Sequence, residues 1–510
     1  MRIRHVTPTG DTRTVDLFGT FDALARDEVV DFPALRPHQQ APWHAFLCQV
    51  AAMALLRAGT TELPDAAEGW RELLRGLTPD FPDDEPWTLV VDDMSKPALL
   101  QPPGMTVDHE GPKTKRIRTP DGLDMLVTAR NHDVKGARIA QAQDDDWLFA
   151  LVSLQTQDGM MGAGNPGASR MNGGYGSRVQ VALHPAGGTP GSAFVRDVRA
   201  LSHGMEDDPR LGLLWTVPWD GEKGVPFGML HPLYVEIARK RRLVRDGDST
   251  FAVAEPSKKP RVAAAERKGV TGDPWAPVLA DGSKSWGVSK SGFGYRQITT
   301  LLDGSKVTLP PISTSQPADG RGATLVTRAV SRGQGKTEGY HERSIPVPAK
   351  AAGLLSGATD RIGATARARV KSVGEAADAL RIALYVLDQG GPDKIDFQDK
   401  GTPLKIASHL KRFDRMVDAA FFGPEFWDAT VVTDNEEALR LAKRWRERLR
   451  AFAEAVLSEA ERSTPRSVTK RLRGVVRARA TLGARMRRFV TGASDEAQRS
   501  QSPSEQGERA

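Results

Sequence analysis

Cysteine is almost missing from this chain: Cys48 is the only one in 510 residues. That excludes an intrachain disulfide and a zinc site built on several thiolates. The run that holds it, PWHAFLCQVAAMALL, has the apolar spacing of a core helix. Its thiol therefore reads as buried and inert. The same run is too short to cross a bilayer, and no charged and apolar leader pattern opens at Met1. The expectation is a cytoplasmic protein with no membrane partner. Also missing are a P-loop GK[ST], an HExxH and any paired histidines. No catalytic residue, metal or cofactor is expected. The triplet Asp144, Asp145, Asp146 offers carboxylates to a metal, but adjacent acids more often form a solvated turn.

Lysine and arginine outnumber aspartate and glutamate, 71 to 64, giving a net charge of +7. The excess favours an anionic partner. The length allows two or three domains.

Glycine is concentrated in residues 155–178, QTQDGMMGAGNPGASRMNGGYGSR, which hold seven of them. Glycine loses more backbone entropy on folding than any other residue. Such a concentration implies positive φ angles or another backbone coming close. The apolar run 147–154 precedes the stretch and the alternating run 179–183 follows it, so it is a loop between ordered elements. Asn165, Arg170, Asn172 and Arg178 are interleaved with the glycines. Backbone amides, Asn and Arg are groups that gather around phosphates and base edges. Gly162 to Gly167 also read GxGxxG, but Pro166 and the pair Gly173–Gly174 oppose the helix a dinucleotide site requires. A tight irregular turn is the plainer alternative.

Two basic runs follow. One is Arg239, Lys240, Arg241, Arg242 and Arg245; the other is Lys258, Lys259, Arg261, Arg267 and Lys268. They read either as solvated faces or as a phosphate-facing surface. Residues 323–330 and 340–347 bracket SRGQGKTEG, predicting a β-hairpin with Gln334 and Lys336 at its tip. The segment from Asn131 through His132, Asp133, Val134 and Lys135 to Arg138 lacks periodicity and reads as a surface loop.

From about residue 365 the pattern is helical. Val373, Ala377, Leu380, Leu384 and Leu387 share a stripe. Thr402-Pro403 reads as an N-cap with proline in the first turn, Thr433 to Glu436 as a capping box, and Thr464-Pro465 as a third helix start. Four amphipathic helices with short links predict a four-helix bundle. Its last helix carries many arginines and, up to Val490, no acid. Arg466, Lys470, Arg473 and Arg477 fall on one face, the pattern of a backbone-binding helix. The expected fold is α+β: a large mixed domain over 1–362 with a glycine-rich loop and a β-hairpin, then the bundle over 363–492. A disordered tail follows over 493–510.

The order of parts resembles the CasA family, the large subunits of the type I-E CRISPR surveillance complex Cascade. The parts are an apolar N-terminal helix, Lys96-Pro-Ala-Leu-Leu-Gln101-Pro, the loop after Asn131, the glycine loop, Phe194-Val-Arg196-Asp, the hairpin and the helical end. The resemblance covers most of the chain, although the family's Trp-Ile-Pro-Val opening is missing. It implies a non-enzymatic subunit that reads the protospacer-adjacent motif in duplex DNA, largely from the minor groove. It also implies a start to strand separation for guide-RNA pairing, and docking of a helicase–nuclease. The implied partners are guide RNA, the other Cascade subunits, double-stranded target DNA and that helicase–nuclease. Carried over by residue, the glycine loop corresponds to Gly162, Gly164 and Asn165, then Asn172, Gly173 and Gly174. Lys268 corresponds to a lysine finger, Gln334 with Lys336 to a wedge, and Asn131–Lys135 to a loop anchored near the guide RNA's 5′ end. Two other readings stand beside it: a scaffold subunit that binds nucleic acid without regard to sequence, and a nucleotide-binding enzyme using GAGNPG.

Overall fold

In a computed structural model of the chain, the described residues are all but 106–114, 127–138, 140, 173–177, 315–319, 334–335, 358, 464–467 and 500–510. For 336, 468–470 and 492–499 the backbone alone is described. The fold is mixed helix and strand, as expected. It divides into two compact units, Met1–Phe293 with Thr300–Gly357, and Gly294–Thr299 with Ala358–Ala510.

The first unit is built around the helix Pro37–Ala58. Proline at its first position is compatible with a helix start, and Gly59, at φ +65°, stops it. The stripe read from the sequence is only part of what it buries. Trp43, Phe46, Leu47, Val50, Met53 and Leu55 lie on several sides, because the helices Asp144–Gln157 and Pro190–Ser202 both pack on it. Asp144, Asp145 and Asp146 open the first of these two packing helices. Their partners are chain groups. Asp144 accepts from the Arg2 amide (3.0 Å), Asp145 pairs with the Arg4 guanidinium (2.8 Å), and Asp146 caps the Gln143 amide (2.9 Å). Acids at a helix N-terminus also suit its dipole.

Residues 147–154 are thus helix, and the glycine loop runs from a helix C-terminus into the strand Gln180–Pro185. A dinucleotide loop runs the other way, from strand to helix. That order does not fit the dinucleotide reading of GAGNPG. The strand pairs antiparallel with Ala323–Gly333, which pairs in turn with Lys336–Val347. The predicted hairpin is therefore present, and its strands reach further than expected, to a Gly333–Lys336 pair. The register shifts between Ser331 and Arg332, an irregularity of the kind that re-aims a strand end. A second sheet places Ser249–Glu255 between Lys115–Ile117 and Lys240–Asp246.

Among the described residues the second unit holds four long helices, Thr359–Asp388, Gly401–Ala420, Asn435–Ser463 and Val468–Arg499, with the short Pro424–Val431 between the second and third. Val373, Leu380, Leu384 and Leu387 are buried in the first, which packs on the third and the last; Trp445, Leu449 and Val456 are buried in the third, and Leu482 and Met486 in the last. Two caps differ from their sequence reading. The third long helix is capped by Asp434, whose carboxylate accepts from the Glu437 amide (2.8 Å). Thr402 lies inside the first turn of its helix, and its hydroxyl donates to Asp388 or Asp399 (2.7 Å each) while Asp399 caps the Gly401 amide. Aspartate accepts more strongly than threonine and takes the cap where both are within reach.

Candidate nucleic-acid interface

The glycine loop is held at both ends by buried charge. At its start, the Asp158 carboxylate takes Arg239 Nη2 (2.6 Å) on one oxygen and Arg332 Nη2 on the other. Arg239 also donates to the Gly159 carbonyl (2.7 Å). All three side chains are buried. Arg332 belongs to the hairpin, just before its tip. One carboxylate therefore joins the root of the glycine loop to the base of the hairpin. Arg332 donates further to the Met125 carbonyl (3.2 Å), as does the Thr337 hydroxyl from the opposite strand (3.1 Å).

At the loop's far end, Arg178 makes two bonds to Asp273 (2.6 and 3.0 Å), and Arg170 joins the same carboxylate at 3.2 Å. Burial alone would raise the Asp273 carboxyl; Arg178 and Arg170 outweigh it and hold it down at about 2. Arg170 also donates to the Tyr234 carbonyl (2.6 Å) and lies over the Tyr234 ring (4.3 Å). Glu236 accepts from the Ser169 amide (2.8 Å). Arg170 and Arg178 are therefore internal ties and do not face a phosphate.

Between these anchors the loop turns on itself. The Asn165 amide donates to the Gly162 carbonyl (3.1 Å) and the Met161 amide to the Asn165 carbonyl (2.9 Å). Gly162 and Gly164 have φ of +89° and +78°. They need glycine for different reasons. A Cβ on Gly162 would meet open space, while one on Gly164 would stand 2.8 Å from Pro256 Cβ. Gly164→Val is accordingly expected to cost roughly 2–4 kcal/mol, through strain and overpacking together. Gly162→Ala should cost only the left-handed penalty of about 1–2 kcal/mol. Urea denaturation of both variants checks the order. A cavity of about 290 Å³ lies between the loop and the segment beyond Pro256, with Met160, Gly162, Pro166, Ser169, Lys258 and Pro260 on its walls.

Lys268 is exposed and left-handed, φ +48° and ψ +41°. Its carbonyl accepts from the Ser285 amide (3.1 Å). The next residue, Gly269, leaves no room for a side chain: its Cβ would stand 2.8 Å from the Met171 carbonyl oxygen. The lysine turn is thus seated against the glycine loop one residue before the half-buried Asn172. The structure brings together Gly162, Gly164, Asn165, Asn172 and Lys268 around one loop, with the hairpin base tied to its root. Gly173, Gly174, Gln334 and the loop Asn131, His132, Asp133, Val134 and Lys135 lie outside the described residues; for Lys336 the backbone is described, paired to Gly333.

The first basic run does not form a phosphate-facing surface. Arg239 is bound to Asp158, and Lys240 pairs with Glu255 (2.7 Å). Arg242 is buried and donates to the carbonyls of Val91, Asp93 and Lys96 (2.7–3.0 Å). Burial lowers Arg241 and Arg242 to about 10. In the second run, Arg261 donates to the carbonyls of Leu214, Val217 and Pro218, and Arg267 covers the Phe227 ring at 3.9 Å. Lys258 pairs with the exposed Glu222. On the last helix, Arg473 and Arg477 both reach Asp393, at 3.2 and 2.7 Å. Arg466 is outside the described residues, and for Lys470 only the backbone is described.

His44, Cys48 and Asp197 also cluster closely enough to share an ion. His44 Nε2 meets both Asp197 (2.8 Å) and Cys48 Sγ (3.5 Å). A relay from acid to nucleophile uses the two ring nitrogens separately, so this group is not a Cys–His–Asp catalytic set. Burial raises the Cys48 thiol well above its ordinary value.

No protein-family model and no curated protein sequence matches the chain. Solved structures do. CasA of Thermus thermophilus is similar at a TM-score of 0.65 and 15% identity, covering 95% of this chain and 97% of that one. Cse1 of Thermobifida fusca is similar at 0.64 and 13%, over 96% and 97%. Cse1 of Acidimicrobium ferrooxidans is similar at 0.60 and 14%, over 97% of each. Over 95–97% of its length the chain has the fold of these CasA (Cse1) structures.

Proposed function

We propose that this chain is the large subunit of a type I-E Cascade complex. In this reading it recognises the protospacer-adjacent motif in duplex DNA, begins the strand separation that lets guide RNA pair, and helps recruit the helicase–nuclease. It does so as a binding subunit, without chemistry of its own. The observation that carries the reading is the joint anchoring of three elements. The glycine loop, the lysine turn and the hairpin meet through Met171–Gly269 and through Asp158–Arg332, in a chain with the CasA fold.

The physical roles follow from the groups. The minor groove is narrow and offers few donor and acceptor patterns. A glycine backbone with open space beside Gly162 can enter where a side chain would clash. An exposed lysine reaches groove acceptors without fixed geometry, which permits a relaxed motif. A polar tip at Gln334, with Lys336, inserted between base pairs costs a few kcal/mol of unstacking; pairing beyond it is nearly balanced. The segment Asn131–Lys135 would contact the guide RNA end of the complex. The face of Arg466, Lys470, Arg473 and Arg477 would hold DNA backbone, with Arg473 and Arg477 exchanging Asp393 for phosphate.

The test is an electrophoretic shift of the reconstituted guide complex, with and without this chain, on duplexes randomised beside the protospacer. The chain is expected to impose a flank preference that Gln334→Ala with Lys268→Ala abolishes. Equal binding to all flanks, indifferent to the mutations, would leave the chain as a sequence-blind scaffold.

A further inference from the structure

The helix Pro37–Ala58 places His44 and Cys48 one turn apart, at i and i+4, so both side chains leave one face. The helix Pro190–Ser202 packs on it and brings Asp197 to that face. His44 Nε2, Cys48 Sγ and an Asp197 carboxylate oxygen all lie within 4.8 Å of one another. The DNA reading uses none of the three.

Protons alone do not satisfy this set of contacts. A ring nitrogen carries either a hydrogen or a lone pair. If His44 Nε2 donates to Asp197 Oδ2 (2.8 Å), it cannot accept from the Cys48 thiol at 3.5 Å. If it accepts from the thiol, two lone pairs face each other across the 2.8 Å contact. Among the described residues, His44 Nε2 is the hydrogen-bond partner the thiol has. A cation shared by the three groups serves both contacts at once.

The surroundings suit such an ion. Asp197 Oδ1 accepts from Arg196 Nη1 (2.9 Å), and Arg196 is fixed in turn on the Ile312 and Thr314 carbonyls (3.0 and 2.9 Å). Oδ2 is thereby left toward His44, the outer-shell arrangement that orients metal ligands. Cys48 and Asp197 are buried, while the His44 side chain is 18% exposed and gives an ion a way in. The donor set selects the metal. Magnesium and calcium take oxygen ligands, whereas one thiolate, one imidazole and one carboxylate suit zinc. Donors held at about 2.0–2.3 Å from zinc stand roughly 3.3–3.8 Å apart in a tetrahedron, so the ion asks for side-chain shifts of about an ångström.

We propose that His44, Cys48 and Asp197 form a zinc site that ties the helix Pro37–Ala58 to Pro190–Ser202, with water in the fourth position. Zinc displaces the thiol proton to solvent, and a neutral His44 binds through Nε2 with its proton on Nδ1. The inference is independent of the DNA reading.

The untagged full chain, stripped with chelator and titrated with zinc against a chromophoric competitor, tests it. One zinc per chain is expected, undisturbed by excess magnesium. Losing an outer-shell partner weakens metal binding about 10–100-fold, so Cys48→Ala and His44→Gln, which remove ligands, should each weaken zinc by at least about a hundredfold. Zinc should raise the melting temperature of the wild type and leave that of Cys48→Ala unchanged. Cobalt in place of zinc reads the ligand directly in the wild type, so the test stands if a variant misfolds: a thiolate-to-cobalt charge-transfer band is expected. Three results would overturn the proposal: no stoichiometric zinc, bound cobalt without the sulfur band, or equal zinc affinity in a folded Cys48→Ala, which would mark an adventitious ion only.

Discussion

Asp158→Ala is expected to cost the first unit about 3–5 kcal/mol, the loss typical of removing one partner from a buried ion pair. The size follows from what remains. Arg239 and Arg332 would both stay buried without their carboxylate. Burial already lowers Arg239 below the ordinary arginine value with Asp158 in place. Neither guanidinium would lose every partner, since Arg239 keeps the Gly159 carbonyl and Arg332 keeps Met125; that holds the loss within the range. Urea denaturation followed by tryptophan fluorescence measures it, because Trp43, Trp147 and Trp215 are buried in this unit. Pairing Asp158→Ala with Arg332→Met should recover part of the loss, since an apolar side chain tolerates the dry site. A loss below about 1 kcal/mol would mean that water reaches the pair and that it behaves as a surface salt bridge. On the proposed function there is a second readout. With the tie cut, motif binding should fall less than strand separation, because the glycine loop keeps its far anchor at Asp273 while the hairpin loses its reference to the loop.

The sequence revealed the scaffold of this site better than its electrostatics. The loop was legible because its glycines stand between an apolar run and an alternating one. The hairpin was legible because alternation breaks at SRGQGKTEG and resumes. Arginine roles were not legible, and the reason is separation along the chain. Arg239 finds Asp158, Arg178 finds Asp273, and Arg242 finds backbone carbonyls in the segment from Val91 to Lys96. Nothing local to RKRR distinguishes a guanidinium that folds inward from one that faces solvent. One signal was available: successive side chains of a strand point to opposite faces, so a run of adjacent cations on Lys240–Asp246 must place some of them in the interior, and Lys240 and Arg242 are buried there. The helix caps show the same limit on a smaller scale. Thr433 and Asp434 both suit a cap, and only the fold shows which side chain meets the amide.

Lys268→Gly is expected to separate folding from function. Lys268 holds φ +48° without being glycine, a conformation that costs an L-residue about 1–2 kcal/mol. Glycine removes that strain but adds unfolded-state entropy of roughly 0.5–1 kcal/mol. The variant should therefore be as stable as wild type or slightly more so. Lys268→Ala keeps the strain and should be no more stable than wild type. If the lysine reaches DNA, the two variants should lose flank-dependent duplex binding to the same extent despite their different stabilities. Lys268→Arg should retain part of it, since the charge remains while the rigid guanidinium reaches the groove differently. The pair excludes the ordinary explanation of a damaging mutation, because the better-folded variant is predicted to be as defective as the other. Thermal denaturation and duplex binding on the same preparations decide the matter. Undiminished motif-dependent binding by Lys268→Gly would remove the lysine finger from this position, leaving Lys258, Lys259 or Arg267 to supply the charge. A fall in stability matched by the fall in binding would instead make the turn a structural element, with the strain at Lys268 an incident of seating Gly269 against Met171.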